Sequence, residues 1–335
     1  MSSVPSSLET HNNLSIAPLP TIDYARLEAK DADETQRLLE ACKIYGFFYL
    51  NLKNIGTILH DWQQVLRIME KYFSQDLMTK MKDDRRSDTY GYEPCGTSAG
   101  AVHGTLDFYE TLKIARSVMY EKTASLPKAA KDNIELFDRF IRACDTITTT
   151  ILARLSDVFD LSSGSRFEDK HRPEGKSRST LSLFRYPKQE TQDNKVGHNK
   201  HTDIGTLTVL FSEQWGLQVL SPETLAWNFV APKQDHAVIN VGDSLRFLSG
   251  NVLKSCVHRV TPANVSGRQE EHRYSIAYFL RAEDVVQYRD SKGRVISARD
   301  WHDEKYDVFR LSHDESNSDR ILTGGMEKGE QFIVS

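Results

Sequence analysis

The chain has no run of about 18 uninterrupted apolar residues, so no membrane-spanning helix is expected. It has no surplus of basic residues either. The formal net charge is −4 over 335 residues, which argues against the electrostatic footprint that bulk nucleic-acid binding requires. Cysteine is scarce and scattered: Cys42, Cys95, Cys144 and Cys256 form no CxxC pair. That excludes a structural zinc site of the four-cysteine type and fits an intracellular chain, with Cys42 and Cys144 as small core residues in helical patterns. The opening residues, MSSVPSSLETHNNLS, lack a basic segment running into an apolar one. No secretory leader is read there, so 1–17 is expected to be a flexible arm and the cytoplasm the location. No internal repeat and no long low-complexity block is present.

What is there divides into a helical half and a β-rich half. LPTIDYARL (19–27) reads as a short strand into a turn. Leu38, Leu39, Cys42 and Tyr45 fall at helical spacing over 32–46, with Gly46 as the stop. GFFYLNL (46–52) reads as a strand. A longer helix is predicted over 57–82, with Leu59, Trp62, Val65, Leu66, Met69 and Phe73 on one face. Residues 83–107 are polar and glycine-containing and read as a loop, whose KDDRR (82–86) is a solvated charged face. The longest helical pattern, 127–160, repeats Ile134, Phe137, Ile141, Cys144, Ile147, Ile151 and Leu155 every three or four positions. From about 178 to 288 the chain turns into short β patterns: LSLFRYP, TLTVLF, GLQVL, WNFVAP, AVINV, SLRFL, HRVTP and RYSIAYFL. Such an order predicts a β sandwich or barrel carrying a helical shell. Residues 300–327 return to a mixed helical pattern.

The stretch HNKHTDIGTLTVLF (198–211) places His201 and Asp203 two residues apart just before a strand. On extended backbone, residues i and i+2 point to one side, so the imidazole and carboxylate aim at one point. His258, in SCVHRVTP, is the best third ligand, with 54 residues between it and Asp203. Two histidines and a carboxylate are the facial triad of non-haem Fe(II) oxygenases, which leaves positions open on the metal. A polar turn leading into a core is the rival reading, since an isolated HxD is a weak signal among eleven histidines. His198 competes through an HxxH pattern, and His103 is a further loop candidate.

A second constellation follows fifteen residues after His258, in RYSIAYFL. Arg273 and Ser275 share one face of a predicted strand in apolar surroundings. A buried arginine needs a partner, and a bidentate carboxylate is the natural one. Glu270 or Glu271 would make it a structural salt bridge. Alternatively Arg273 and Ser275 hold the far carboxylate of a small dicarboxylate whose other end chelates the metal.

Together these motifs resemble the Fe(II)- and 2-oxoglutarate-dependent dioxygenases, in the group similar to isopenicillin N synthase. The resemblance runs from about 18 to 325. LPTIDYARL and LLEACKIYGFFYLNL resemble the N-terminal region, HTDIGTLTVL the first iron motif, and SCVHRVTP and RYSIAYFL the second iron motif and the Arg-x-Ser site. WHDEKYDVFR and ILTGG look most like fungal members that serve natural-product pathways. The resemblance implies a double-stranded β-helix (jelly-roll) core over 175–290. A helix-rich N-terminal dioxygenase region over 18–160 and a C-terminal helical segment over 291–335 would pack on it. It implies His201, Asp203 and His258 as iron ligands, Arg273, Ser275 and Tyr186 at 2-oxoglutarate, and O2 as the oxidant. Phe279, Arg281, Phe184, Phe108 and Tyr92 are the candidate substrate contacts.

Two departures stand out. Phe184 occupies the position where relatives often carry an asparagine, removing one polar contact to the co-substrate. NLKN (51–54) replaces the usual Asn-His-Gly turn. An oxidase that uses no 2-oxoglutarate and a non-catalytic ligand-binding scaffold are the rival functions, and succinate formation separates the first from a dioxygenase. The aromatic candidates suit an aromatic or polycyclic small molecule. Tyr90 and Tyr92 would flank its entrance, and His103, Asp107 and Phe108 would reach it if 83–107 closes as a lid. Asp243 in NVGDS reads as a turn former.

Overall fold

Two aspartates open the helical half. Asp23 accepts from the Arg26 backbone N–H at 3.2 Å and Asp31 from that of Glu34 at 2.9 Å, capping helices α1 (Tyr24–Glu28) and α2 (Ala32–Ile44). The computed structural model describes residues 14–98, 106–121, 126–189, 197–263, 269–310 and 321–326. Strand β1 (Thr21–Asp23) precedes α1, and β2 (Phe47–Asn51) follows α2 once Gly46 has ended it. The helix predicted over 57–82 is two helices, α3 (Ile58–Phe73) and α4 (Leu77–Met81). Asp76 breaks the run by turning its carboxylate onto the Thr79 N–H at 2.9 Å, which caps the second. Within the stretch read as a loop lies β3 (Gly91–Glu93), paired with β4 (Glu110–Ala115). Short helices α5 (Arg116–Tyr120) and α6 (Lys128–Lys131) lead to α7 (Ile134–Val158). Phe137, Ile141, Cys144, Ile151 and Leu155 of α7 are fully buried, as their spacing predicts.

The β-rich half supplies β5 (Thr180–Tyr186), β6 (His198–His201), β7 (Leu207–Phe211), β8 (Leu217–Leu220), β9 (Trp227–Phe229) and β10 (His236–Val241). Beyond these come β11 (His258–Val260), β12 (Arg273–Leu280), the small hairpin β13 (Gln287–Arg289) and β14 (Val295–Ser297), and helix α9 (Ala298–Phe309). SLRFL, predicted as a strand, is instead helical in α8 (Asp243–Leu248). Asp243 in the first turn suits the positive helix end, and it pairs with Arg246 one turn on at 3.3 Å, a local contact that a strand does not permit.

One sheet runs β1-β2-β10-β7-β12-β5-β4-β3, antiparallel throughout except for the β1–β2 pair. A second runs β6-β11-β8-β9. The two form the jelly-roll core. Strands from the N-terminal half therefore lie at both edges of the large sheet.

Period-two alternation divides this sheet into two faces. Leu112, Ile114, Leu181, Leu183, Val209, Phe211, Ile276, Tyr278 and Leu280 join the main apolar core with the helices. Fully burying each such side chain contributes roughly 1.5–3 kcal/mol. Intervening residues line cavities on the opposite face: Thr111 and Lys113 on β4, Ser182, Phe184 and Tyr186 on β5, Thr208 on β7, and Arg273, Ser275 and Phe279 on β12. The polar positions of four strands thus converge on one space.

Candidate active site

Strand β11 pairs antiparallel with β6 so that His258 lies directly opposite His201. The β6 strand ends there, and Asp203 follows on the same side. His201 Nε2 and His258 Nε2 each lie 3.6 Å from Asp203 Oδ1, and the three ligand atoms fall within 4.8 Å of one another. All three residues are buried. Each imidazole is fixed by its other nitrogen: Nδ1 of His201 donates to the Asn199 carbonyl at 2.7 Å and Nδ1 of His258 to the Cys256 carbonyl at 3.1 Å. A carbonyl only accepts, so Nδ1 carries the proton and the Nε2 lone pairs face the common point. Burial and the facing His201 pull His258 down to about 4, which leaves it neutral, the ligating form.

The third ligand is oriented with equal care. Asp203 Oδ2 accepts from Thr208 Oγ1 at 2.5 Å and from Asn240 Nδ2 at 2.6 Å. Both donors occupy one oxygen and leave Oδ1 for the centre, an arrangement typical of the residues behind a metal ligand. Burial pushes the Asp203 carboxyl up, but the two histidines and Asn240 outweigh it, holding the group well below the usual carboxylate range. The donor set of two imidazoles and one carboxylate fits a divalent first-row metal. His198 does not compete. Its ring stacks face-on between Tyr109, at 4.7 Å, and His201, at 4.4 Å. A second grouping, Asp88, His302 and Asp303, is already bridged by the Arg178 guanidinium, at 2.7 Å from Asp88 and 3.0 Å from Asp303.

Arg273 opens onto the same cavity as the triad, Tyr186 and Ser275. It is 1% exposed, yet no carboxylate pairs with it among the described residues. Its Nε donates to the Trp215 carbonyl at 2.9 Å, and its two remaining nitrogens reach the Ser275 and Ser212 hydroxyls at 3.4 Å. Glu270 and Glu271 are exposed, so the structural salt bridge is absent. Tyr186, opposite Arg273 in register, lies with its ring centre 4.9 Å from the guanidinium carbon. Burial pushes its phenol up to about 12. Gly216, at φ +135°, gives the arginine room: a β-carbon there would stand 2.8 Å from Nε.

On the other side of His201 and Asp203 a cleft opens toward solvent. Phe184, Phe279 and Arg281 line it. Phe108 and Tyr92 do not. Tyr92 is buried in the core, donating to Glu110 Oε2 at 2.5 Å and packing against Tyr72. Its neighbours in sequence alternate, and the side it takes is the helical one. For the same reason Tyr109, not Phe108, joins Thr111 and Lys113 on the cleft wall. Asp107 accepts backbone N–H groups from Gly96 at 2.5 Å and Ser98 at 2.8 Å, closing its own loop. Burial raises its carboxyl to about 6. His103 lies outside the described residues.

Residues 177–282 match the model of the 2OG-Fe(II) oxygenase superfamily, and residues 19–135 match that of the non-haem dioxygenase in morphine synthesis N-terminal region. The 2-oxoglutarate-dependent dioxygenase frbH of Dothideomycetidae sp. is 51% identical over 310 residues, covering 92% of this chain and 96% of the relative. This chain belongs to the 2-oxoglutarate-dependent dioxygenases. Oxidoreductase vrtI of Penicillium aethiopicum is 52% identical, over 94% of this dioxygenase and 76% of the relative. Among solved structures, the dioxygenase for auxin oxidation of rice superposes with a TM-score of 0.66 at 22% identity, covering 89% and 99% of the two chains. That likeness supports the jelly-roll fold. The dioxygenase is an oxidoreductase whose cofactors are Fe(II), 2-oxoglutarate and O2; the 2-oxoglutarate-free alternative is set aside. No helix among its described residues is long and apolar enough to cross a membrane.

Several functional neighbours are not marked by the ligand spacing. Thr208 and Asn240, which aim Asp203, are the polar interruptions of TLTVLF and AVINV, and that interruption is the signal that marks them. Asp243 is not merely a turn former. It is fully buried and binds Lys305 Nζ at 2.5 Å, Ser255 Oγ at 2.6 Å and Arg246. Lys305 also donates to Thr202 Oγ1 at 2.6 Å, fastening α9 to the residue between His201 and Asp203. Phe309 at the end of α9 stands 5.3 Å from the His201 ring.

Proposed function

We propose that His201, Asp203 and His258 hold the Fe(II) of this dioxygenase and that Arg273, with Ser275 and Tyr186, receives the far carboxylate of 2-oxoglutarate. The observation that carries this is the pairing, in one cavity, of three convergent ligand atoms with a buried guanidinium that no carboxylate among the described residues answers. A dicarboxylate between them satisfies both ends. Bound there, iron with 2-oxoglutarate and O2 supplies the oxidising power to functionalise a C–H bond, releasing succinate and CO2.

The chain's own work is placement. Thr208 and Asn240 keep Asp203 turned toward the metal. Arg273 and Tyr186 fix the far end of the co-substrate, and Ala277 and Leu210 give that cavity an apolar wall. The prime substrate occupies the cleft bounded by Phe184, Phe279 and Arg281, where Phe309 shields the His201 side. We assign it as a natural-product intermediate with an aromatic or polycyclic body lying along the phenylalanines, and hydroxylation as the outcome.

The test needs no prime substrate. Fe(II) is added to the metal-free protein without oxygen and 2-oxoglutarate is titrated while the visible spectrum is recorded. A weak charge-transfer band requiring both additions is expected. It should vanish in His258→Ala and demand far more 2-oxoglutarate in Arg273→Leu. A band that survives His258→Ala unchanged would remove the ligand assignment, and unchanged titration in Arg273→Leu would remove the co-substrate assignment.

A further inference from the structure

The cleft beside His201 and Asp203 is lined by five charged side chains among the described residues, and four of them are answered within the protein or at the metal centre. Asp88 pairs with Arg178 at 2.7 Å. Glu93 and Lys113 pair with each other at 2.6 Å, and the Tyr306 hydroxyl bridges both. Asp203 faces the metal ligands. Arg281 is the remainder. Its Nη1 donates to the Arg178 carbonyl. Its Nε is buried with no partner, and no described group accepts from Nη2. Those two nitrogens form one edge of the planar guanidinium, the edge that takes a carboxylate through two parallel hydrogen bonds.

The surroundings hold this edge in place. The Phe279 ring centre lies 5.4 Å from the guanidinium carbon. The stem of Arg281 runs over Gly205, two residues past Asp203: a β-carbon at Gly205 would stand 2.9 Å from Arg281 Cγ and 2.6 Å from the Leu280 carbonyl oxygen. Burial draws the guanidinium down to about 10, so it remains a cation at neutral pH. A part-buried cation whose Nε is sealed from solvent without an acceptor is costly, and the acids that line the cleft are already paired or turned to the metal centre.

We propose that Arg281 is a specificity-determining residue that receives a carboxylate of the prime substrate, so that this dioxygenase oxidises a small organic acid. The proposal rests on the reading of the cleft as the substrate site. The acid docks at Arg281, and its remaining body lies along Phe184 and Phe279 toward the metal. Arg273 and Arg281 then divide two carboxylates between two cavities, co-substrate on one side of the triad and substrate on the other.

The test is direct binding. A panel of the proteinogenic L-amino acids, acetate, benzoate and 3-phenylpropanoate, each beside its primary amide, is titrated calorimetrically into two forms of the protein. One is metal-free; the other is loaded with Fe(II) and 2-oxoglutarate without oxygen. At least one acid should bind roughly tenfold to a hundredfold tighter than its amide. That preference should collapse in Arg281→Gln, return in part in Arg281→Lys, and survive in Arg273→Leu. The chelate band of Arg281→Gln should titrate with 2-oxoglutarate as in the wild type, which also shows that the variant is folded. Acids and amides binding alike, no panel acid binding, or a preference that follows Arg273 instead would each overturn the proposal. The metal-free arm keeps the two readings apart: a preserved acid preference without any chelate band would refute the iron assignment and support this one.

Discussion

Thr208 offers a sharp test of how the metal centre is built, because its hydroxyl touches Asp203 and no other described partner. Thr208→Val keeps the shape of the side chain and deletes one of two hydrogen bonds to Oδ2. The lost bond is charge-assisted and buried, a class worth roughly 1.5–3 kcal/mol. Part of that falls on the metal-free fold and part on the ligand geometry. Removing such a partner of a metal ligand weakens binding by about 10–100-fold. Asn240, at 2.6 Å from the same oxygen, remains in the single variant and limits the loss to the lower end of that range. The Thr208→Val/Asn240→Leu double variant frees the carboxylate to rotate, so it should lose more than the sum of the two single changes. The assay is calorimetric titration with Mn(II) at fixed pH, beside urea unfolding of the metal-free forms. Thr208→Ser should behave as the wild type. A folded Thr208→Val protein that binds Mn(II) within about twofold of the wild type would refute the view that Oδ2 donors aim the ligand.

Two further predictions concern the frame. Lys305→Met strips the buried Asp243 of its nearest cation and should destabilise the protein by about 3–5 kcal/mol in urea unfolding, with Lys305→Met/Asp243→Asn recovering part of the loss; a change below about 1 kcal/mol would show that Arg246 alone suffices. His171 is buried between the Phe167 carbonyl, 2.8 Å away, and Thr206 Oγ1, 2.7 Å away, and burial holds it at about 4 against an ordinary 6.5. Between those values the unfolded chain binds the extra proton, so His171's contribution is intact above about 6.5 and is lost as pH falls toward about 4, on the order of 3 kcal/mol in all. Unfolding measured at pH 7 and pH 4.5 should show a shallower decline in His171→Gln than in the wild type; parallel declines would exclude His171 as a source of the acid sensitivity.

The parts of this molecule that are legible in sequence are those in which spacing and backbone geometry are the same fact. His201 and Asp203 sit two apart on extended chain, and Arg273 and Ser275 likewise, so each pair is bound to share a side. The α7 core residues follow from the helical repeat in the same way. What spacing does not convey is the side a whole strand takes when its neighbours are unknown. Tyr92 and Phe108 are aromatic and near the cleft in sequence, which points to it, yet the register of β3 and β4 places Tyr109 there instead. Asp243 is illegible for a different reason: apart from Arg246, its partners Ser255, Lys305 and Thr202 are 12, 62 and 41 residues away, beyond any local pattern.

The alternation of the large sheet has a consequence for how such an enzyme changes over evolutionary time. The helix-facing positions pack the main core, and positions 111, 113, 182, 184 and 279 line the cleft assigned to the substrate; none of these five belongs to that core. A substitution at one set is nearly invisible to the other. A lineage built on this sheet can exchange one substrate for another by rewriting every second letter of a few strands, while the oxidising centre and the scaffold beneath it stay as they are.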